Sequence, residues 1–281
     1  MKPYSDNIIE TITKYIPKRE CDFELVGFIS KKKEIYTFGN DSKILGRLFE
    51  VIVADALNNA AIELKYTLGE PAKQTVYPDF YFIKPDGRRI AVDVKTTYRD
   101  YNNSGTLKRF GFTAGSFTSY LRDNTKNIDG KYSDYDKHYI LGVLYTREDF
   151  PTTGKASLND LEKIVPAYKY PEIFIQEKHR ICGEKKGSGN TDNIGTIKSN
   201  DIQTFKEGMG PFSFMGYEAF KLYWTNHHRN TDSKKKKESL YKDIPEFIKW
   251  LADTKREDEL AKKFQCEYDK YRCYMKERGW E

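Results

Sequence analysis

The chain has 281 residues, and 48 lysines and arginines against 42 acidic residues leave a formal charge of +6, a mild excess that permits a nucleic-acid partner without requiring one. Aromatic residues make up 15% of it, which excludes a disordered, collagen-like or fibrous polymer, and the length suits one large domain or two small ones. No apolar run approaches the roughly 18 residues of a membrane span, the N-terminal stretch lacks the apolar core of a signal peptide, and Cys21, Cys182, Cys266 and Cys273 show no CxxC spacing, as expected of reduced thiols in a cytoplasmic protein.

A short helix is expected after Ser5 or Asp6. Residues 23–29 and 34–38 read as strands joined by a turn at Lys31–Lys33. Residues 42–60 read as a helix capped by Asp41 or Ser42, with an apolar stripe of Leu45, Leu48, Phe49, Ile52 and Leu57. A strand pair follows at 76–83 and 88–97, then a short helix at 116–123 and strands at 138–145 and 171–176. Residues 183–200 read as a polar, glycine-rich loop, and from about 213 the pattern is helical. This order predicts an α/β or α+β fold: a central mixed β-sheet flanked by helices. Residues 1–230 are expected to form the main domain, with 231–281 a helical extension packed on it. Lys234–Lys237 suits a solvated connector, with contact to a polyanion as the alternative. In the tail, Cys266 and Cys273 fall on one helical face beside Leu260 and Phe264, which suggests a packing or oligomer helix.

The chemistry concentrates in the strand pair. Pro85-Asp86-Gly87 suits a three-residue hairpin loop, with proline presetting the first turn position and glycine taking the left-handed one. That loop pairs Lys84 with Arg88 and sets Asp79 opposite Asp93; a two-residue loop would set Val92 there instead. In the second strand Ile90, Val92 and Val94 share the core face, and Ala91, Asp93 and Lys95 share the other. Two carboxylates about 5 Å apart repel by about 3 kcal/mol at an effective dielectric of about 20. A hard divalent cation between them reverses the sign, and Mg²⁺ takes such carboxylates together with waters and a phosphate oxygen. Lys95 lies about 6.6–6.8 Å along the same face, placed to stabilise negative charge on a phosphate or to orient an attacking water. The plainer reading is an exposed sheet face with ordinary charged residues. Glu50 sits on the flank of the helical stripe with Gly46 and Ala54 one turn to either side. That row lets something approach closely, although a boundary glutamate with a buried stem fits it as well.

Pro78-Asp79, thirteen intervening residues and Asp93-Val94-Lys95 match the PD-(D/E)XK nuclease signature. Tyr77-Pro78-Asp79-Phe80, Asp93–Tyr98, Asn124–Ile128 and Gly187–Gly195, in that order and spacing, resemble the EcoRV-like type II restriction endonucleases over roughly residues 20–230. The resemblance implies the nuclease fold, double-stranded DNA as substrate, a homodimer, a cognate methyltransferase and Mg²⁺ as cofactor, with Mn²⁺ as a substitute. It implies Asp79 and Asp93 as metal ligands, Glu50 as an assisting metal carboxylate and Lys95 as the lysine of the catalytic strand. Water would attack phosphorus in line. Gly187, Ser188, Gly189, Asn190 and Thr191 would form a recognition loop in the major groove, with Asn193 beside it and Gln74 in a minor-groove loop. Lys43, Thr96, Thr97, Thr118 and Lys126 would contact phosphates or groove edges. The recognised palindrome would resemble GATATC, cut at its centre to leave blunt ends.

Side-chain chemistry agrees with the loop assignment. Glycines at 187 and 189 let backbone groups approach base edges, Asn190 offers the donor and acceptor that read adenine, and Thr191 can meet a thymine methyl. The Gly-Lys-Ser/Thr ending of a nucleotide P-loop is absent. Two departures stand out. The stretch Glu70–Val76 keeps one glutamine but changes its neighbours, and Asp192 places a carboxylate where the family has an uncharged residue, which is unfavourable near phosphates unless it points away or accepts from a cytosine amine. A nuclease of the repair type without strict sequence choice, or a catalytically silent DNA-binding protein on the same fold, is the alternative reading.

Overall fold

The computed structural model describes residues 6–39, 41–187, 192–255 and 257–279, with the backbone alone at 20 and 21. The chain opens with α1 (Asn7–Tyr15), capped by the Asp6 carboxylate, which accepts the Ile8 N–H. A hairpin of β1 (Gly27–Ile29) and β2 (Glu34–Thr37) leads to α2 (Ser42–Leu64), whose cap Asp41 accepts the Lys43 and Ile44 N–H groups. α2 runs four residues beyond the expected end and stops at Lys65 in the left-handed region. Next come β3 (Thr67–Gly69), β4 (Phe80–Ile83), β5 (Arg89–Tyr98), β6 (Thr113–Ser116), β7 (Tyr135–Arg147), β8 (Lys155–Ser157) and β9 (Tyr168–Glu177). The one-turn helix α3 (Lys178–Ile181) precedes β10 (Cys182–Lys186) and β11 (Asn193–Thr196). The rest is helical: α4 (Gln203–Lys206), α5 (Phe212–Asn226), α6 (Asn230–Lys234), α7 (Ile244–Lys255) and α8 (Asp258–Glu277).

The central sheet has the order β3-β4-β5-β7-β9, with β5 and β7 parallel and the other pairs antiparallel. This is the expected mixed sheet flanked by helices. Both of its faces are covered. One core joins Val92 and Val94 to Ile12 of α1 and to Leu45, Phe49 and Val53 of α2. The other joins Ala91 and Ile140 to Phe117, Trp224, Phe247 and Phe264. The face carrying Ala91 and Asp93 is therefore buried rather than open, because helices distant in sequence close over it. α7 and α8 belong to that second core. Two small sheets complete the fold, β1-β2-β8 and β10-β11-β6.

Three local expectations change. Residues 117–123 form turns and no helix. The Ser116 hydroxyl accepts the Thr118 N–H, and Phe117 donates its N–H to the Asp192 carbonyl, so local and cross-chain bonds replace helical ones. Within 183–200 a hairpin, β10 and β11, replaces much of the expected loop. On α8 the buried residues are Ala261, Phe264 and Tyr268, while Cys266 and Cys273 lie on the exposed side.

Candidate active site

β4 and β5 pair with Phe80 opposite Val92 and Ile83 opposite Arg89, and the Lys84 N–H donates to the Arg88 carbonyl at 2.9 Å. This is the three-residue-loop register, and its continuation sets Asp79, just before β4, against Asp93. Asp79 Oδ2 accepts the Val94 N–H at 2.7 Å, which fixes that carboxylate at the edge of β5. Lys95 Nζ stands 2.8 Å from Asp93 Oδ2 and 3.8 Å from Asp79 Oδ2, and it donates to the Val94 carbonyl at 3.0 Å. α2 passes closely over this strand: a Cβ on Gly46 would lie 3.9 Å from Thr96 Oγ1. That is an ordinary contact distance, so the approach of helix to strand does not itself require the glycine beside Glu50.

Burial, then the neighbouring Asp93 charge, pushes the Asp79 carboxyl up to about 7; Lys95 acts against this, and Glu50 adds to it. Burial pulls the Lys95 ammonium down, but Asp93, Asp79 and Glu50 together hold it above its ordinary value. The pair of carboxylates therefore lacks enough positive charge, while the lysine is firmly cationic. Asp93 Oδ2 is buried, and the Lys95 ammonium at 2.8 Å is its nearest partner. One ammonium shared by two neighbouring buried carboxylates leaves negative charge that a hard divalent cation would offset, so Asp79 and Asp93 fit such a metal. Glu50 is not gathered with them: its carboxylate pairs with Arg47. Among the described residues no three His, Cys, Asp or Glu side chains converge on one metal position.

A stability prediction follows for the metal-free protein. The Asp79 carboxyl has its ordinary value of 3.8 in the unfolded chain and is pushed up to about 7 in the fold. The folded state therefore holds more protons between these values. Stability from this group is fully present below the lower value and is lost as pH rises through the upper one. Asp79→Asn is expected to raise the melting temperature in EDTA at about pH 8 and to change it little at about pH 4.5. A lower melting temperature at the higher pH contradicts the raised carboxyl.

The other expected contacts spread around this centre. Thr96 and Thr97 follow Lys95 on β5 and are half-buried. Lys43 is exposed in the first turn of α2, and Gln74 is exposed between β3 and β4. Lys126 is exposed in a turn whose next residue, Asn127, accepts the Tyr77 N–H at 3.0 Å, which ties it to the strand entering Asp79. Thr118 follows β6, and Asn193 lies opposite Ser116 in the small sheet, so these two are neighbours. Gly187 donates to the Asn193 carbonyl at 2.8 Å. Ser188, Gly189, Asn190 and Thr191 lie outside the described residues.

One group and one pairing escaped the sequence analysis: Lys178, and the partners of Asp192. Lys178 is buried beneath the site, 2.7 Å from Tyr120 Oη and 4.9 and 5.1 Å from the Tyr77 and Tyr120 ring centres. Burial pushes its ammonium down to about 8, and Asp93 opposes this. Nothing in the string Gln176-Glu177-Lys178 marks that position, since its burial depends on rings from other segments. Asp192 pairs with Lys186 at 3.0 Å and accepts the Asn230 N–H at 2.9 Å. Its charge is neutralised inside the protein.

The sequence family described as restriction endonuclease EcoRV matches residues 19–252. The type II restriction enzyme EcoRV of Escherichia coli is 37% identical over 236 residues, which cover 82% of this chain and 91% of that relative. The opposed carboxylates, the strand lysine and this extent of likeness coincide on the same segment, and the chain belongs to the EcoRV family of type II restriction endonucleases.

Proposed function

We propose that the chain hydrolyses double-stranded DNA in the presence of Mg²⁺, or Mn²⁺ in its place, at a palindrome resembling GATATC, cut at its centre to leave blunt ends. The observation that carries this reading is the opposition of the buried carboxylates Asp79 and Asp93, with Lys95 2.8 Å from Asp93 Oδ2 as their shared ammonium. Asp79 and Asp93 would hold the metal, with Glu50 assisting once released from Arg47. A metal bound there supplies Lewis acidity toward the scissile phosphate. Lys95 keeps its proton and presents a fixed positive charge where negative charge accumulates on phosphorus oxygens. The Val94 N–H orients Asp79. Thr96, Thr97, Thr118, Lys43 and Lys126 then position the duplex, and Gly187–Thr191 with Asn193 and Gln74 read it.

A homodimer matches a palindromic site. The small β1-β2-β8 sheet supplies a surface for it: Phe28, Ile29 and Tyr36 are 59%, 67% and 45% exposed. Residues 1–230 would form the nuclease proper, and 231–281 a helical extension sharing its second core. The enzyme would act in the cytoplasm beside a methyltransferase protecting the same site. Among the described residues no helix is long and apolar enough to cross a membrane.

The test compares a GATATC duplex with duplexes changed at single positions. Losing a bidentate base contact removes about 1–3 kcal/mol of discrimination. Asn190→Ala should therefore depress cleavage of the preferred duplex and leave non-specific binding nearly intact. Equal loss on every duplex would make Asn190 a backbone anchor instead. A changed palindrome at the outer base pairs would refute GATATC and leave the enzyme class standing.

A further inference from the structure

Lys186 and Asp192 stand at the two ends of the segment 187–191. Lys186 Nζ lies 3.0 Å from Asp192 Oδ1 and donates to Asn230 Oδ1 at 3.1 Å. The Asn230 backbone N–H donates to both Asp192 oxygens, at 2.9 and 3.2 Å. The Asp192 carbonyl accepts the Phe117 N–H at 3.0 Å, and Lys186 Nζ lies 5.4 Å from the centre of the Phe117 ring. The Asp192 and Lys186 side chains are only 11% and 27% exposed, so solvent screens this pair less than a surface pair. These bonds join three elements: the strand entering the segment, the strand leaving it, and the start of α6.

We propose that Lys186 and Asp192 are specificity-determining positioning residues, a clamp that holds the two ends of the recognition segment at a fixed separation and anchors them to α6. The inference rests on the reading of Gly187–Thr191 as the base-reading segment. A link across the ends of a short segment removes conformations that would otherwise have to be lost on binding, so the bonds formed with bases are made at lower entropic cost. Pairing also answers the electrostatic objection to an aspartate beside a phosphate-lined groove. The ammonium cancels its charge, and the backbone N–H of Asn230 occupies both oxygens. Asp192 therefore acts without touching a base: it reads nothing itself and fixes where its neighbours read.

The experiment measures single-turnover cleavage of the preferred duplex and of duplexes changed at one position, together with affinity for an unrelated duplex and melting temperature. The variants are Asp192→Ala, Asp192→Asn and Lys186→Met, with Asn190→Ala alongside. Asp192→Ala and Lys186→Met should each reduce the ratio of preferred to altered cleavage by about tenfold, comparable to losing one good base contact, with affinity for the unrelated duplex nearly unchanged. Asp192→Asn keeps an acceptor for the Asn230 N–H and should recover most of the ratio. If Asp192→Ala fails to fold, Lys186→Met decides. An unchanged ratio in folded Asp192→Ala or Lys186→Met overturns the clamp, as does an equal gain in affinity for all duplexes, which would reveal simple relief of repulsion. If Asn190→Ala alone collapses the ratio, the base-reading segment stands and only the clamp is lost. If Asn190→Ala leaves the ratio intact, the base-reading assignment fails and the clamp falls with it.

Discussion

Asp93→Ala is expected to slow DNA cleavage by about three orders of magnitude or more while DNA affinity stays within a few-fold of the parent chain. The carboxylate lies on the buried face of β5, opposite Ile140 and only 4% exposed, so it is not among the exposed side chains expected to grip or read the duplex. In the proposed site its loss would leave one carboxylate, Asp79, to neutralise a divalent cation, and it removes the nearest counter-charge of Lys95, 2.8 Å away. Both changes would act on the reacting phosphate rather than on recognition. The measurement is paired: cleavage rate on a single-site duplex, and gel-shift affinity for the same duplex. Near-normal cleavage by the folded variant removes Asp93 from the site.

Lys95→Ala is expected to lower turnover by about 10²–10³, the usual consequence of removing one charge aimed at a developing oxyanion. Three acidic groups hold the Lys95 ammonium above its ordinary value, so it carries full charge at neutral pH. Binding should change far less, because the same charge is already engaged by Asp93 and the Val94 carbonyl before DNA arrives. Single-turnover rates and equilibrium binding separate the two effects. Binding weakened tenfold with turnover unchanged would make Lys95 an ordinary phosphate contact.

The strand pair β4–β5 was legible because its determinants are local. Pro85-Asp86-Gly87 sets the hairpin register, and strict alternation from Ile90 to Lys95 sets the faces, so the opposition of Asp79 and Asp93 follows from counting. α2 was legible for the same reason, its cap and stripe lying within one segment. What covers Asp93 was not legible. Ala91 and Asp93 read as an open face, yet Phe117, Trp224, Phe247 and Phe264 close over it from elements far along the chain. The hairpin of β10 and β11 was hidden because its strands are short and rich in glycine and lysine, and its partner β6 lies some eighty residues earlier in the sequence. Asp192 looked like an unfavourable charge near DNA because its counter-charges are a lysine six residues away and the backbone of Asn230, and pairing with either is a property of the fold.

The most direct measurement is digestion of a sequenced plasmid with Mg²⁺, with every new end mapped to the nucleotide, beside the same digestion by Asp93→Ala and a sample in EDTA. The expected result is cleavage of both strands at the centre of one palindrome, present only with the metal and absent in the variant. Nicks scattered without sequence preference would assign the chain to a repair-type activity, and cleavage that persisted in Asp93→Ala or in EDTA would contradict the site itself.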